Sequence, residues 1–489
     1  MSAFISRRSF LASGIACGAA GMLGCTTSSP QPAQGTAPSE AMPPLSNAIR
    51  MAADMRTVEV NGKSSKMMGL ALADGKSGLI LNAAQPFDVL LENKLPVPTA
   101  IHWHGLHPPN NEDGVPGLTQ APIQPGASHR YYFPLKPSGT HWMHSHLGLQ
   151  EAFLLAAPLI VHGKVDQARD EQEIILFLGD FSFTPPPEIY AKLRKPASPM
   201  SSPMSARKAS MAMDKPDAND VDYDAYLAND RTLMDPEVVS VENNGKVRLR
   251  IINGSSGTNY FVSLEGLKGE LIATDGMPVE PVTGSLFPLA IAQRIDIRVQ
   301  LPHEGAFPIL ALREFAREQT GIILATRGAA VRKLPLKNMK PAGFLNLDLE
   351  KRLLPLNPPP ARPVDQTFDL RRGGNMARYE WTINGVAFDT AAPGTQKPLV
   401  RVKQGQRVSL NFINETPMSH PMHLHGHSFQ VTSIDGASMR GALRDTVLVP
   451  GKSTVTVTFD ADNPGTWYVH CHVLWHLAAG MATLVQYEA

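Results

Sequence analysis

Thr466-Trp467-Tyr468-Val469-His470-Cys471-His472-Val473-Leu474-Trp475-His476-Leu477-Ala478-Ala479-Gly480-Met481 is the stretch whose chemistry sets the reading of the whole chain. Its first four residues have the aromatic and β-branched character of a strand. Side chains on a strand alternate between faces, so His470 and His472 point one way and Cys471 the other. Two histidines, a thiolate and a weak axial methionine make a copper site of the electron-transfer kind. Cys471, His476 and Met481 offer three of those four ligands. His470 and His472, on the opposite face, are free to hold a second metal centre. The plain alternative is a buried cysteine among core histidines, and three further segments that complete the same set argue against it.

Working outward, the same design occurs earlier in the chain. Gly139-Thr140-His141-Trp142-Met143-His144-Ser145-His146 mirrors Gly465-Thr466-Trp467-Tyr468-Val469-His470-Cys471-His472, with Ser145 in the place of Cys471. Three strand-like runs end in asparagine at Asn93, Asn253 and Asn414, spaced 160 and 161 residues apart. After the first comes His102-Trp103-His104; after the third come His420, His423 and His425; after the second no histidine follows. Such self-similarity marks a repeated domain. Short apolar runs between turns, with 42 prolines and 39 glycines, predict an all-β protein. The expected organisation is a leader and tether over 1–46, β domains over 47–165, 166–335 and 362–489, and a proline-rich connector over 336–361.

Strand parity sorts the histidines. His102 and His104 share a face, as do His144 and His146, His423 and His425, and His470 and His472. His420 stands at an odd offset and falls in with Cys471. Eight histidines in four pairs suit several copper ions. Catalytic zinc, the rival, takes three ligands and an open position and would leave most of these residues unused.

These four segments together resemble the multicopper oxidase family, which includes laccases, ascorbate oxidase and bacterial copper-tolerance oxidases. The resemblance covers nearly all of the chain after the leader. It implies three cupredoxin-like Greek-key domains, with the active site spanning the first and third. It implies four copper ions: a type 1 copper on His420, Cys471, His476 and Met481; a type 2 copper on His102 and His423; and a type 3 pair on His104, His144 and His472, and on His146, His425 and His470. It further implies single-electron oxidation of a small reducing substrate, with O₂ reduced to water and electrons passing from Cys471 to His470 and His472. Met481 as axial ligand implies a low-to-middling potential.

Asp113, in Glu112-Asp113-Gly114, matches an acid that the family places near the type 2 site, where it supplies protons; a turn aspartate before glycine is the alternative. The glutamate that several bacterial relatives carry after the second type 1 histidine is replaced here by Leu477, which leaves a second relay acid without a candidate. His107, His129, His141, His162 and His303 read as structural, and His427 as a turn or supporting residue.

Charge is nearly balanced at +1, which points to neither nucleic acid nor an anionic membrane as a partner. Arg7-Arg8 before a modest apolar run resembles a Tat export signal, with the Tat translocon as a passing partner and the periplasm as destination. Met22-Leu23-Gly24-Cys25 resembles a lipoprotein cleavage site; lipidation at Cys25 is the one expected membrane contact, and ordinary cleavage to a soluble protein is the alternative. Of the three cysteines only Cys471 lies in the globular part, so no disulfide is expected there. Residues 185–216 interrupt the second domain with Met200, Met204, Met211 and Met213. Thioethers favour Cu(I); the alternative is a loop whose methionines are incidental. The leading expectation is an exported oxidase whose donor is Cu(I), a phenol or a similar reductant. A copper-sequestering protein with little turnover and a metal-free structural relative are the alternatives.

Overall fold

The structure, a computed structural model, describes residues 43–195 and 219–488. Arg7, Arg8, Cys25 and the four methionines Met200, Met204, Met211 and Met213 lie outside the described residues. From Pro44 onward the chain builds paired β-sheets, as the turn-rich composition predicts. The first pair has four strands in each sheet, the second six and five, and the third seven and five. Strand Thr454–Asp460, TVTVTFD, shows the local cause: its threonines are half exposed while Val455, Val457 and Phe459 are buried, the period-two pattern of a sheet with one wet face.

The three asparagine-terminated strands are the structural repeat. Phe87–Asn93 runs parallel to Ile49–Val60, Lys246–Asn253 to Gln172–Phe181, and Arg407–Asn414 to Gln366–Asn375. Each asparagine does the same work at its strand end. Its Oδ1 accepts from the backbone N–H two residues on, at Leu95, Ser255 and Thr416. Its Nδ2 donates to a carbonyl four or five residues on, at Val97, Thr258 and Met418. All three are buried, so losing one amide would strand its partners at roughly 1–3 kcal/mol. This turn is what delivers the chain from strand to ligand loop: Asn93 precedes His102, and Asn414 precedes His420.

The repeats are packed into one another. A continuous apolar core holds Trp142 from the first sheet pair, Ile252 and Ile291 from the second, and Leu410, Met422, Trp467, Cys471 and Met481 from the third. Among the described residues, no helix is long and apolar enough to cross a membrane.

Candidate functional site

Cys471 closes strand Thr466–Cys471, and His476 sits in the short helix Leu474–Ala478 that follows. The facing strand His420–Leu424 pairs antiparallel with the first and sets Met422 opposite Cys471. Cys471 Sγ lies 3.6 Å from Nδ1 of both His420 and His476, and those two nitrogens are 3.1 Å apart. Met481 is buried beside them; its N–H donates to the His476 carbonyl and its own carbonyl accepts from the Cys471 N–H. The outer nitrogens are held from behind. His420 Nε2 lies 2.8 Å from Thr416 Oγ1, and His476 Nε2 lies 2.8 Å from Asp220 Oδ2. The Trp381 ring covers His476 at 4.1 Å. Burial pushes the Cys471 thiol up to about 12. Burial, then the His476 and Arg372 charges, hold His420 well below the usual imidazole range. A buried thiol facing two buried imidazole nitrogens fits a soft metal that also takes nitrogen ligands.

Eight histidines converge on the other face. Their pairs have ring centroids 5.7 Å apart for His102–His104, 6.0 Å for His144–His146, 4.8 Å for His423–His425 and 5.3 Å for His470–His472. Parity brings each pair together, although no pair lies wholly within a strand. The first member ends or nearly ends a strand and the second stands just beyond it. His104 and His425 each open a turn at a following glycine, Gly105 and Gly426, but His104 alone turns its Nε2 away from the cluster. Its Nε2 is taken by Asp445 at 2.9 Å and Thr446 at 3.1 Å, which leaves Nδ1 facing inward. Elsewhere Nε2 is the inward atom: His102 and His423 meet through Nε2 at 3.4 Å, and His425 and His470 at 3.1 Å. His104 Nδ1 and Nε2 of His144, His146 and His472 are buried with no hydrogen-bond partner among the described residues. Desolvation, followed by the neighbouring imidazoles, keeps His144, His146, His423, His425 and His472 well below their ordinary basicity. Buried, desolvated nitrogens aimed at one another are what copper needs, so both clusters fit the implied metal on chemistry.

The outer nitrogens of this second cluster rest on carboxylates and backbone carbonyls. Asp113, fully buried, has Oδ2 2.9 Å from His425 Nδ1, and its backbone carbonyl takes His102 Nδ1 at 2.9 Å, with Oδ1 3.2 Å from the same nitrogen. Thus the expected acid touches both a first-domain and a third-domain histidine. Asp445 supports His104 and, through its carbonyl, His423 Nδ1 at 2.8 Å. Glu151 lies 2.8 Å from His144 Nδ1 and 3.9 Å from His472 Nδ1. Burial drives its carboxyl well above the usual range. Asp445, Glu151 and Asp220 were not found by sequence reasoning. Glu151 left a signal, a lone acid in the apolar run from Leu147 to Leu159. The other two left none, because the histidines their carboxylates meet, His104 and His476, are 341 and 256 residues away.

The remaining sequence expectations can be placed. Ser145, in the place of Cys471, donates to Gln150 Oε1 in a polar network that reaches Thr99 and the Pro98 carbonyl. His427 Nε2 meets the Tyr487 hydroxyl, His107 meets Ser428, and His162 meets Glu173. His141 is buried against the Pro137 carbonyl. His129 packs on Tyr131, and His303 bonds the Glu304 carbonyl. Leu477 is a neighbour of the site without an acid, and it lines a cavity of about 510 Å³ together with Val115, Pro116, Leu149, Tyr468 and His146.

Comparison with known proteins identifies the family. Family models described as multicopper oxidase match residues 55–166, 173–329 and 358–489. The chain is 34% identical over 408 residues to multicopper oxidase MmcO of Mycobacterium tuberculosis, covering 82% of this chain and 79% of that protein. It is 26% identical over 563 residues to copper resistance protein A of Escherichia coli, covering 88% and 91%. Among solved structures, a multi-copper oxidase from Pseudomonas thermotolerans superposes with a TM-score of 0.68 at 25% identity, over 90% of this chain and 98% of that one. Fet3p, a multicopper oxidase that functions in iron import, shares the fold with a TM-score of 0.74 at 19% identity, over 90% of each chain.

Proposed function

The chain belongs to the multicopper oxidase family, and on that footing we propose that it oxidises a small reductant at the cysteine cluster and reduces O₂ to water at the histidine cluster. The observation that carries this reading is covalent. Cys471 faces His420 and His476, while its chain neighbours His470 and His472 belong to the eight-histidine cluster. In this reading His420, Cys471, His476 and Met481 hold the type 1 ion, His102 and His423 the type 2 ion, and two triads the type 3 pair: His104, His144 and His472, and His146, His425 and His470. When bound, copper would accept single electrons from the donor at the first cluster and deliver four to O₂ at the second.

The chain's own residues supply the rest. The His470-Cys471-His472 backbone fixes the spacing between the clusters. Asp113 fixes the His425 ring through its carboxylate and the His102 ring through its carbonyl, and is the acid assigned here to hand on a proton. Asp445 and Glu151 fix the rings on the other side; such outer partners set the orientation and basicity of a ligand. The cavity beside His146, walled by Val115, Pro116 and Leu149, offers an apolar approach for O₂. Asp220 holds His476 in the orientation that leaves Nδ1 toward Cys471. We take residues 47–165, 166–335 and 362–489 as the domains, and export by the Arg7-Arg8 signal to the periplasm as the route, with lipidation at Cys25 or ordinary cleavage to follow.

The donor is proposed as Cu(I) or a phenol. Relatives named for copper resistance favour Cu(I), and the methionines of 185–216 are suited to gathering it. The test is copper content per chain together with steady-state oxidation of Cu(I) and of a phenol, side by side. Oxidase turnover with O₂ consumed in proportion supports the proposal. Full copper loading without O₂ consumption for either donor would instead mean a copper-sequestering protein. Replacing Met200, Met204, Met211 and Met213 with leucine should weaken Cu(I) oxidation at low copper and spare phenol oxidation; unchanged Cu(I) kinetics would remove that segment from the mechanism.

A further inference from the structure

Strand Gln366–Asn375 turns Leu370 and Arg372 to the interior and Thr367, Asp369 and Arg371 to solvent. An inward position between apolar strands calls for an apolar residue, and Arg372 is fully buried there. Its guanidinium lies 5.4 Å from the Phe412 ring centroid. Its one hydrogen bond is long, from Nη1 to the Leu370 carbonyl at 3.4 Å; Nε and Nη2 have no partner among the described residues. No carboxylate pairs with it among those residues either. The other fully buried arginines are different: Arg250 pairs with Asp296 and Glu173, and Arg294 with Asp445. Burying an unpaired charge opposes folding, so Arg372 is a local cost to the fold, of the kind proteins carry at functional sites.

Its neighbours are the segments that frame the cysteine cluster. On one side Arg372 pairs with Asn414, whose side chain holds the turn to Thr416 and so to His420. On the other it pairs with Ile383, two residues from Trp381, whose ring covers His476. We infer that Arg372 is a fixed positive charge that raises the reduction potential of copper held by His420, Cys471, His476 and Met481, offsetting the lower potential that a methionine ligand implies. This rests on the ligand assignment proposed above. The sign follows from charge. Reduction removes one positive charge from the centre, so a nearby cation in a medium of low dielectric disfavours the oxidised form more than the reduced one. Leu370, Phe412 and Trp381 around Arg372 belong to the same continuous apolar core as Cys471 and Met481, so the medium between the charge and the cluster screens little. Burial brings the guanidinium down to about 9, which leaves it charged at neutral pH.

The test uses the full-length, copper-loaded enzyme with Arg372→Met and Arg372→Gln. The midpoint potential is titrated on the thiolate-to-copper absorption band, and the copper-free proteins are unfolded with denaturant. The expected result is a roughly tenfold fall in the equilibrium constant for one-electron reduction, about 59 mV. The band and copper content should stay as in the parent, and copper-free Arg372→Met should resist denaturant better than the parent. An unchanged potential in either variant that keeps its band would overturn the inference. So would failure of both variants to fold, which would make Arg372 structural. Absence of the thiolate band from the copper-loaded parent would instead overturn the ligand assignment itself, before any variant is compared.

Discussion

At Cys471 a side chain and a backbone serve different centres. The sulfur faces His420 and His476 at 3.6 Å, while the peptide bonds on either side lead to His470 and His472. Cys471→Ser keeps the backbone and removes the soft ligand. It should abolish the thiolate-to-copper band and donor oxidation, while the histidine cluster still takes up copper. A variant that kept the band would show that the sulfur is not the ligand. His141 makes a different point about burial. It is fully buried, and desolvation, with the Arg294 charge, holds it well below the ordinary imidazole value of 6.5. An unfolded chain protonates this residue as pH falls through about 6.5, whereas the folded one does not. Its contribution to stability is therefore whole above that pH and is lost as pH drops, at a slope of up to about 1.4 kcal/mol per pH unit for one proton. His141→Gln should flatten the fall in denaturation midpoint between pH 7 and pH 5, as read by denaturant titration at the two values; an identical fall would contradict the buried neutral state.

The working elements are strand ends rather than strands. Each histidine pair straddles the end of a ladder, where the chain is still extended enough to keep parity but free enough to turn a ring. This explains how much was readable from the residues. The spacing of two between histidines survives small irregularities, so the pairing and the separation of Cys471 from its neighbours could be derived without coordinates. The nitrogen used by His104 could not, because it depends on Asp445, 341 residues away. Asp113 was legible only through family resemblance, since nothing local distinguishes it from a turn aspartate. The turn itself is demanding. Gly114 has φ +79°, and a Cβ there would overlap the Ile101 carbonyl, next to His102. Backbone cannot yield as a flexible side chain can. Gly114→Ala should therefore cost at least about 1–3 kcal/mol and pull Asp113 away from His102 and His425. Oxygen reduction should fall by roughly 10–100-fold with the thiolate band preserved, as measured by O₂ uptake and absorbance on one sample. Parent-like turnover would mean that the position of Asp113 is not critical.

Across the molecule, the middle sheet pair holds none of the proposed ligands and yet clamps the site. Arg294 reaches Asp445 through two contacts, at 2.7 and 2.5 Å, and Asp445 in turn supports His104. Arg444 binds Glu350 and approaches Asp275, while Arg248 and Arg250 close on Asp296. The acids that meet Arg248 and Arg250 come from other segments, 46 to 82 residues away. Removing one partner of such a buried pair leaves the other uncompensated. Arg294→Met should cost about 3–5 kcal/mol in denaturant unfolding and lower turnover through His104 and His423; a stability equal to the parent's would show that Asp445 does not need this charge. The central claim, one chain coupling single-electron donation at one cluster to complete oxygen reduction at another, is tested most directly by the stoichiometry of turnover. Donor oxidised, O₂ consumed and hydrogen peroxide released are measured together on the fully copper-loaded enzyme. The account predicts four donor electrons for each O₂, with no peroxide. Two electrons for each O₂, with peroxide accumulating, would contradict it.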